Sequence, residues 1–371
     1  MRDETLAVHA GYQSDPTTKA VVPPICQNVA FEFDDAAHGA ALFNLEVPGN
    51  IYTRIMNPTC DVLEQRVAAL EGGIAALAVS SGMAAITYAL QTLAAQGHNI
   101  VTTPQLYGGT YTLFAHMFPS QGVEVRFSET DRPEDLEKLV DENTRAIYCE
   151  TIGNPAGNII DIAAMAMMAS RNGLPLVVDN TVATPALCKP IELGANIVVH
   201  ALTKFMGGHG NSLGGIIVDG GNFDWRRRRQ FPGMTAPEPA YHDVVYSDAF
   251  GPAAFIARAR TVPLRNTGAA LAPMNAFLLL QGIETLSLRM ERHCFNAQKV
   301  SEFLKTHPKV EWVSYAGLPD HPHHALAKSQ LGGTPSALLT FGVKGGFDAG
   351  VKFYDALGLF KRLVNIGDAR S

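Results

Sequence analysis

The sequence predicts an α/β protein: a mostly parallel sheet with helices on both faces, followed by a smaller α+β C-terminal domain. Three observations predict it. Short apolar runs alternate with helix-length segments from Asn57 to Val218, the pattern of buried strands joined by right-handed helical crossovers. No Asp, Glu, Lys or Arg occurs between Gly72 and Val123, so that stretch can supply strands buried on both faces. Hydrophobic residues make up 47% of the 371 residues and charged residues 17%, which excludes disorder and a coiled coil.

Residues 1 to about 56 are rich in Pro, Asn, Thr and aromatics without sustained periodicity, and read as an extended arm that needs a surface to lie on. From Asn57 the pattern changes. Pro58 to Leu70 reads as a helix, Ala75 to Val79 as a strand, Met83 to Ala95 as a helix and Ile100 to Thr102 as a strand. Further strands are expected near Val123 to Phe127, Ala146 to Cys149, Leu176 to Val178, Ile197 to Val199 and Gly215 to Val218. Asp161 to Arg171 reads as a helix whose Met165, Met167 and Met168 face the core. Asn222 to Ala272, with five prolines between Pro232 and Pro263, is a partly helical excursion suited to covering a site. Pro273 to Leu304 is strongly helical, and Trp312 to Ser371 mixes short strands, including Ala337 to Val343, with helix. The expected organisation is therefore an arm over 1–56, a ligand-binding domain over 57–272 and a C-terminal domain over 273–371.

Several function classes drop out. Lys plus Arg number 29 and Asp plus Glu 35, a net charge of −6, so neither nucleic acid nor an anionic membrane is an expected partner. The charge-free stretch is broken by Ser80-Ser81-Gly82, Gln96-Gly97-His98-Asn99 and Pro104-Gln105 before about 18 apolar residues accumulate. It reads as interior and not as a membrane span. The five cysteines form no C-x-x-C pair, which suggests neither a disulfide framework nor a zinc site and suits a reducing cytosol. The opening Met1-Arg-Asp-Glu-Thr offers no signal peptide, so a cytoplasmic location is expected.

Open parallel sheets bind ligands beyond the carboxyl ends of their strands, so chemistry is sought in the loops there. Ser80-Ser81-Gly82-Met83 leads from a strand straight into a helix, which suits a phosphate or serves as a simple N-cap. Neither a P-loop nor a G-x-G-x-x-G motif opens the first βα unit. Asp179, at the end of Leu176 to Val178, is an acid that must be paired or a cap. Lys204, between an apolar strand and Gly207-Gly208-His209-Gly210, is a nucleophile if desolvated and an ordinary loop lysine if not. Together they match what pyridoxal phosphate demands: a phosphate cradle, an acid for the pyridine nitrogen and a lysine for the aldehyde.

Over essentially its whole length the chain resembles the Cys/Met-metabolism family of pyridoxal-phosphate enzymes, which have the aspartate-aminotransferase-like fold, fold type I. The matching segments are Tyr52-Thr53-Arg54 with Asn57-Pro58-Thr59, Ser80 to Met83, Leu106 to Thr110, Glu150-Thr151 with Asn154-Pro155, Val178 to Thr181, and Thr203-Lys204. The resemblance implies that Lys204 holds the cofactor and transfers protons, Asp179 pairs with the pyridinium nitrogen, and Tyr107 stacks on the ring. Ser81, Gly82, Met83 and Thr203 would bind the phosphate, and Asn154 the ring hydroxyl. Tyr52 and Arg54 would reach the phosphate in a neighbouring subunit of a dimer-built tetramer, with mere packing of the arm as the alternative. Tyr52 and Tyr107 are candidates for assisting the leaving group. Asn365 and Tyr52 would bind substrate.

Two departures from the family are visible. Ala201 stands where a serine is usual in H-S-x-T-K, so one phosphate hydroxyl is missing and weaker cofactor retention is expected. The carboxylate-binding arginine of the family is expected beyond residue 371. The excursion with Asn222 to Trp225, Phe231 to Gly233 and Tyr241-His242, together with Gly207 to Gly210, resembles the O-acetylhomoserine sulfhydrylase branch. The implied reaction is γ-replacement on O-acetyl-L-homoserine by sulfide or a thiol, delivered free or by a sulfur-carrier protein. Alternatives are methionine γ-lyase chemistry, against which Gly109 stands in place of that branch's usual cysteine, a cystathionine γ-synthase type reaction, and a degenerate scaffold without activity. Arg226 to Arg229 read as a solvated face or subunit contact. His321-Pro322-His323-His324 reads as a turn and helix start, no metal being expected; His200 and His209 read as structural.

Overall fold

A computed structural model describes residues 1–227, 231–333 and 335–370. Its seven-stranded sheet comprises β1 (Ala75–Val79), β2 (Asn99–Thr102), β3 (Glu124–Phe127), β4 (Thr144–Glu150), β5 (Leu176–Asp179), β6 (Ile197–Ala201) and β7 (Gly215–Asp219), in the spatial order β1-β7-β6-β5-β4-β2-β3. The pairs among β6, β5, β4, β2 and β3 are parallel, whereas β7 runs antiparallel to both β1 and β6. The β6–β7 connection, residues 202–214, carries no regular helix. Such a link returns the chain beside the strand it left and reverses direction, while parallel neighbours need a helical crossover. Because β1 and β6 both oppose β7, the carboxyl ends of β1, β4, β5 and β6 share one edge.

The helices follow local signals. In α1 (Pro58–Glu71), Asn57 accepts from the Thr59 N–H, Pro58 occupies the first turn, and Gly72 at φ +75° ends the helix. α2 (Gly82–Leu93) is capped by Ser81, whose Oγ accepts from the Ala84 N–H at 3.2 Å. α3 (Ile162–Arg171) is capped in the same way by Asp161. The predicted helix over 273–304 is two helices, α4 (Pro273–Glu284) and α5 (Leu286–Thr306), separated at Thr285, whose φ −109° and ψ 12° leave the helical region.

Side-chain alternation places helices on both faces of the sheet. Leu77, Val79, Val177, Val199 and Ile217 pack with α2 and with Phe255 and Ile256 of the excursion. Ala76, Ala78, Val198, Ile216 and Val218 pack with α1, α4 and α5, and Ile147, Leu176 and Val178 with α3. A second, two-stranded antiparallel sheet joins β8 (Val310–Ser314) to β9 (Thr340–Val343). Among the described residues no helix is long and apolar enough to cross a membrane.

Some expectations need correction. Residues 1–56 are not uniformly extended: Asp3–His9 and Ala36–Phe43 are helical, with Ala7 and Leu42 buried. The first helix has acids in its opening turn and is held by Asp3 on Lys189 at 2.7 Å, while Arg66 Nε donates to the Ala10 carbonyl at 3.0 Å. Met165 and Met168 are core residues, but Met167 is 65% exposed, because it lies on the far side of α3. Arg226 pairs with Asp248 and donates to the Ser247 carbonyl; Arg228 and Arg229 lie outside the described residues. His323 Nδ1 accepts from the Ile159 N–H at 2.9 Å, and His324 starts a helix over His324–Gln330.

Candidate active site

A cavity of about 560 Å³ opens at the carboxyl edge of the sheet, a size suited to a small molecule. Five segments bring their candidates into it. Ser81, Gly82 and Met83 enter at the start of α2, Tyr107 at the start of the helix Gly108–Thr112, Asn154 beyond β4, Asp179 at the end of β5, and Thr203 and Lys204 just beyond β6. Asn365 closes the far side.

Helix α2 begins here for a packing reason. The approach of its first turn to β6 and β7 is so close that a Cβ on Gly82 would lie 2.5 Å from Ala201 Cβ, and one on Gly215 would lie 2.0 Å from the Ser81 carbonyl oxygen. Ser81 satisfies the third N–H of the turn, which leaves those of Gly82 and Met83, two residues that line the cavity, without intrahelical partners. This is an anion cradle.

The Lys204 loop is fixed on both sides. Thr203 Oγ1 accepts from the Gly214 N–H at 3.1 Å, and the Lys204 N–H donates to the Ala201 carbonyl at 3.1 Å. Arg289 of α5 caps the Phe205 and Met206 carbonyls from below, and His209 Nδ1 meets the Gly207 carbonyl at 2.7 Å. Lys204 Nζ donates to Asn365 Oδ1 at 2.7 Å, and Asn365 Nδ2 donates to Asp368 Oδ2 at 2.9 Å. Burial pulls the lysine below its ordinary value of 10.5, opposed by the Asp368 carboxylate.

Asp179 stands opposite Glu150 in the β4–β5 register. It accepts the Thr181 N–H at 2.9 Å and the Tyr148 hydroxyl at 3.4 Å. Burial raises its carboxyl, while Thr181, Tyr148 and the neighbouring His200 pull it down. Thr181 Oγ1 in turn accepts the Ala201 N–H at 2.8 Å, tying β5 to β6. Behind this lies a closed polar core in which His200 Nε2 meets Glu71 Oε1 at 2.7 Å, both side chains fully buried, and Asn180 donates to the same oxygen. His200 is thus structural in its contacts and electrostatic in its reach.

Tyr52 and Arg54 do not line this cavity. Tyr52 is 39% exposed, with the Arg54 guanidinium 5.3 Å from its ring centroid, and Arg54 Nη1 donates to the Arg265 carbonyl at 2.8 Å. Three neighbours of the site had no role assigned from sequence. Glu150 sits one residue past the expected strand, and Thr181 follows Asp179 in the same segment, so position alone could have found them. Asp368 meets Asn365 locally, three residues away, but only the fold brings that pair to Lys204.

The residues present fit pyridoxal phosphate: a helix start with two free N–H groups for the phosphate, an amine for the aldehyde, and a carboxyl that among the described residues pairs with no Lys or Arg. Among the described residues no group of metal-ligating side chains is assembled.

Comparison with known proteins agrees with this geometry. The family model described as Cys/Met metabolism PLP-dependent enzyme matches residues 4–371. The chain is 49% identical to an O-acetyl-L-homoserine sulfhydrylase of Leptospira meyeri, covering 100% of this chain and 86% of that protein. It is 49% identical to a homocysteine synthase of Schizosaccharomyces pombe, covering 99% and 86%. A crystal structure of an O-acetylhomoserine (thiol)-lyase from Campylobacter jejuni, with a pyridoxyl-lysine phosphate in place, superposes with a TM-score of 0.97 at 39% identity, covering 100% of this chain and 91% of that one.

Proposed function

The chain belongs to the Cys/Met metabolism family of pyridoxal-phosphate-dependent enzymes, and from that premise we propose that it replaces the acetate of O-acetyl-L-homoserine by sulfide or a thiol, giving L-homocysteine or methionine. One observation carries the reading: Lys204, Asp179 and the free end of α2 converge on one cavity, in a chain 49% identical to an O-acetyl-L-homoserine sulfhydrylase and to a homocysteine synthase.

Bound through Lys204, pyridoxal phosphate supplies an electron sink that lets Cα and Cβ protons leave and a γ-substituent be exchanged. The Lys204 amine, already biased toward its neutral form, takes and returns the Cα proton. Asp179 holds a positive charge at the deep end of the cavity, supported by Thr181 and Tyr148. Gly82 and Met83 give N–H groups, and Ser81 and Thr203 give hydroxyls, to the phosphate. Tyr107 would lie against the ring, with its phenol placed to give a proton to the departing acetate, Asn154 would meet the ring hydroxyl, and Asn365 would turn from the free lysine to the substrate.

Tyr52 and Arg54 complete the site from a second copy of the chain in a homo-oligomer, a tetramer built of dimers, working in the cytoplasm. Exposure of Tyr52 and the lack of a carboxylate partner for the Arg54 guanidinium among the described residues support a role outside their own subunit. Free sulfide is the simplest donor, and a sulfur-carrier protein is the alternative.

Assays pairing O-acetyl-, O-succinyl- and O-phosphohomoserine with sulfide and with cysteine test the reading. Homocysteine from the acetyl ester and sulfide, abolished in Lys204→Ala, is the expected result; turnover confined to another ester refutes it, and turnover with cysteine alone, giving cystathionine, refutes homocysteine or methionine as the product. Arg54→Ala should weaken cofactor retention, and unchanged affinity refutes the shared site.

A further inference from the structure

Glu150 ends β4 inside the cavity wall, and at 5% exposure it is among the most enclosed acids of the chain. Its Oε1 accepts the backbone N–H of Tyr107 at 2.6 Å, and the backbone N–H of Asn154 is also directed at its carboxyl. The two donors lie on separate loops: Tyr107 opens the segment after β2, and Asn154 follows β4. Both loops line the cavity, and their side chains are those expected to stack on the cofactor ring and to meet its hydroxyl. Among the described residues Glu150 forms no ion pair, and its register partner on β5 is another acid, Asp179.

We infer that Glu150 is a positioning residue of the cofactor site, whose carboxyl fastens the Tyr107 and Asn154 loops to the end of β4. The inference rests on the assignment of the cavity to pyridoxal phosphate and not on the choice of acyl donor.

Neutrality follows from the neighbourhood. Burial and the Asp179 charge push Glu150 well above the ordinary carboxylate range, against the two N–H groups that favour the ion. Asp179 has Thr181, Tyr148 and His200 to favour its own charge, so the pair places the charge on Asp179 and the proton on Glu150. A cofactor cation held by Asp179 would keep that carboxylate ionised and reinforce the division. A neutral carboxyl presents one carbonyl acceptor and one O–H donor, the same pattern as a carboxamide. Glutamine is therefore the near-isosteric replacement, whereas an ionised Glu150 would have no such mimic.

The test compares apoprotein of the native chain, Glu150→Gln and Glu150→Ala in pyridoxal phosphate titrations, with visible circular dichroism of the bound cofactor and the pH midpoint of its visible band. Glu150→Gln should keep affinity within about threefold, the dichroic band and the midpoint, because its acceptor survives and no charge is removed. Glu150→Ala should lose about tenfold or more in affinity together with most of the dichroic intensity, because two loops are released. A Gln variant as weak as Ala, or with its midpoint moved to lower pH, shows that the ion is needed and overturns the inference. An Ala variant that binds like the native chain overturns it too. Should Ala fail to fold, Glu150→Ser, too short to reach both loops, takes its place with the same two outcomes. Native protein that takes up no cofactor at all would instead refute the assignment of the cavity.

Discussion

Gly82 lies at the contact between the phosphate cradle and the sheet, and Gly82→Ala tests whether the cradle depends on that contact. The added Cβ would sit 2.5 Å from Ala201 Cβ and 2.9 Å from Ala201 Cα. The first distance is about 0.9 Å short of ordinary contact at 3.4 Å. Ala201 lies in β6, paired on both sides by β5 and β7, and does not yield. The first turn of α2 must move instead, at an overpacking cost of about 1–3 kcal/mol. A shift of that size pulls the Gly82 and Met83 N–H groups away from a bound phosphate. Each charge-assisted hydrogen bond is worth about 1.5–3 kcal/mol, and about 1.4 kcal/mol is tenfold in affinity. Gly82→Ala should therefore bind pyridoxal phosphate about 10- to 100-fold more weakly in fluorescence titrations of the apoprotein, with a lowered melting temperature. Native affinity alongside the lowered melting temperature would show that the helix start does not hold the phosphate.

Asp368 should govern how readily Lys204 captures the aldehyde. Its carboxylate favours the ammonium form, so Asp368→Asn should lower the lysine further and move the pH profile of cofactor capture to lower pH; an unmoved profile, or one moved upward, refutes the relay through Asn365. Asp219, 2% exposed at the end of β7, is raised by burial to about 7 even though it accepts the Gly221 and Ile256 N–H groups. A carboxyl raised in the folded state binds more protons folded than unfolded. Its contribution is present below the unfolded value of 3.8 and is lost as pH rises to about 7. Relative to Asp219→Asn, the native chain should lose stability over that window, by at most about 4 kcal/mol. Urea unfolding at the two ends of the window measures it, and parallel curves for the two proteins refute it.

Most of the site was legible because its residues follow strand ends directly. Ser81, Asp179 and Lys204 each stand at or just beyond the end of an apolar run, and the sheet brings such positions to one edge whatever the intervening helices contain. Asn365, by contrast, reaches Lys204 across 161 positions of sequence, and no local pattern marks such a pair. The helices within residues 1–56 escaped the reading for a related reason. Asp3–His9 and Ala36–Phe43 are short segments whose periodicity is weak and whose stability comes from tertiary contacts such as Asp3–Lys189 and the burial of Ala7.

Local sequence determined what can be decided within a turn or a strand: caps at Asn57, Ser81 and Asp161, the alternation that makes both sheet faces apolar, and the chemical types gathered after each strand. Tertiary structure alone decided charge and partnership. Whether Glu150 or Asp179 carries the proton, how far Lys204 is desolvated, and which loops a buried carboxyl ties together depend on distances between segments far apart in the chain. Those interactions strengthen as water is excluded, so they come into being only when the chain has closed around them.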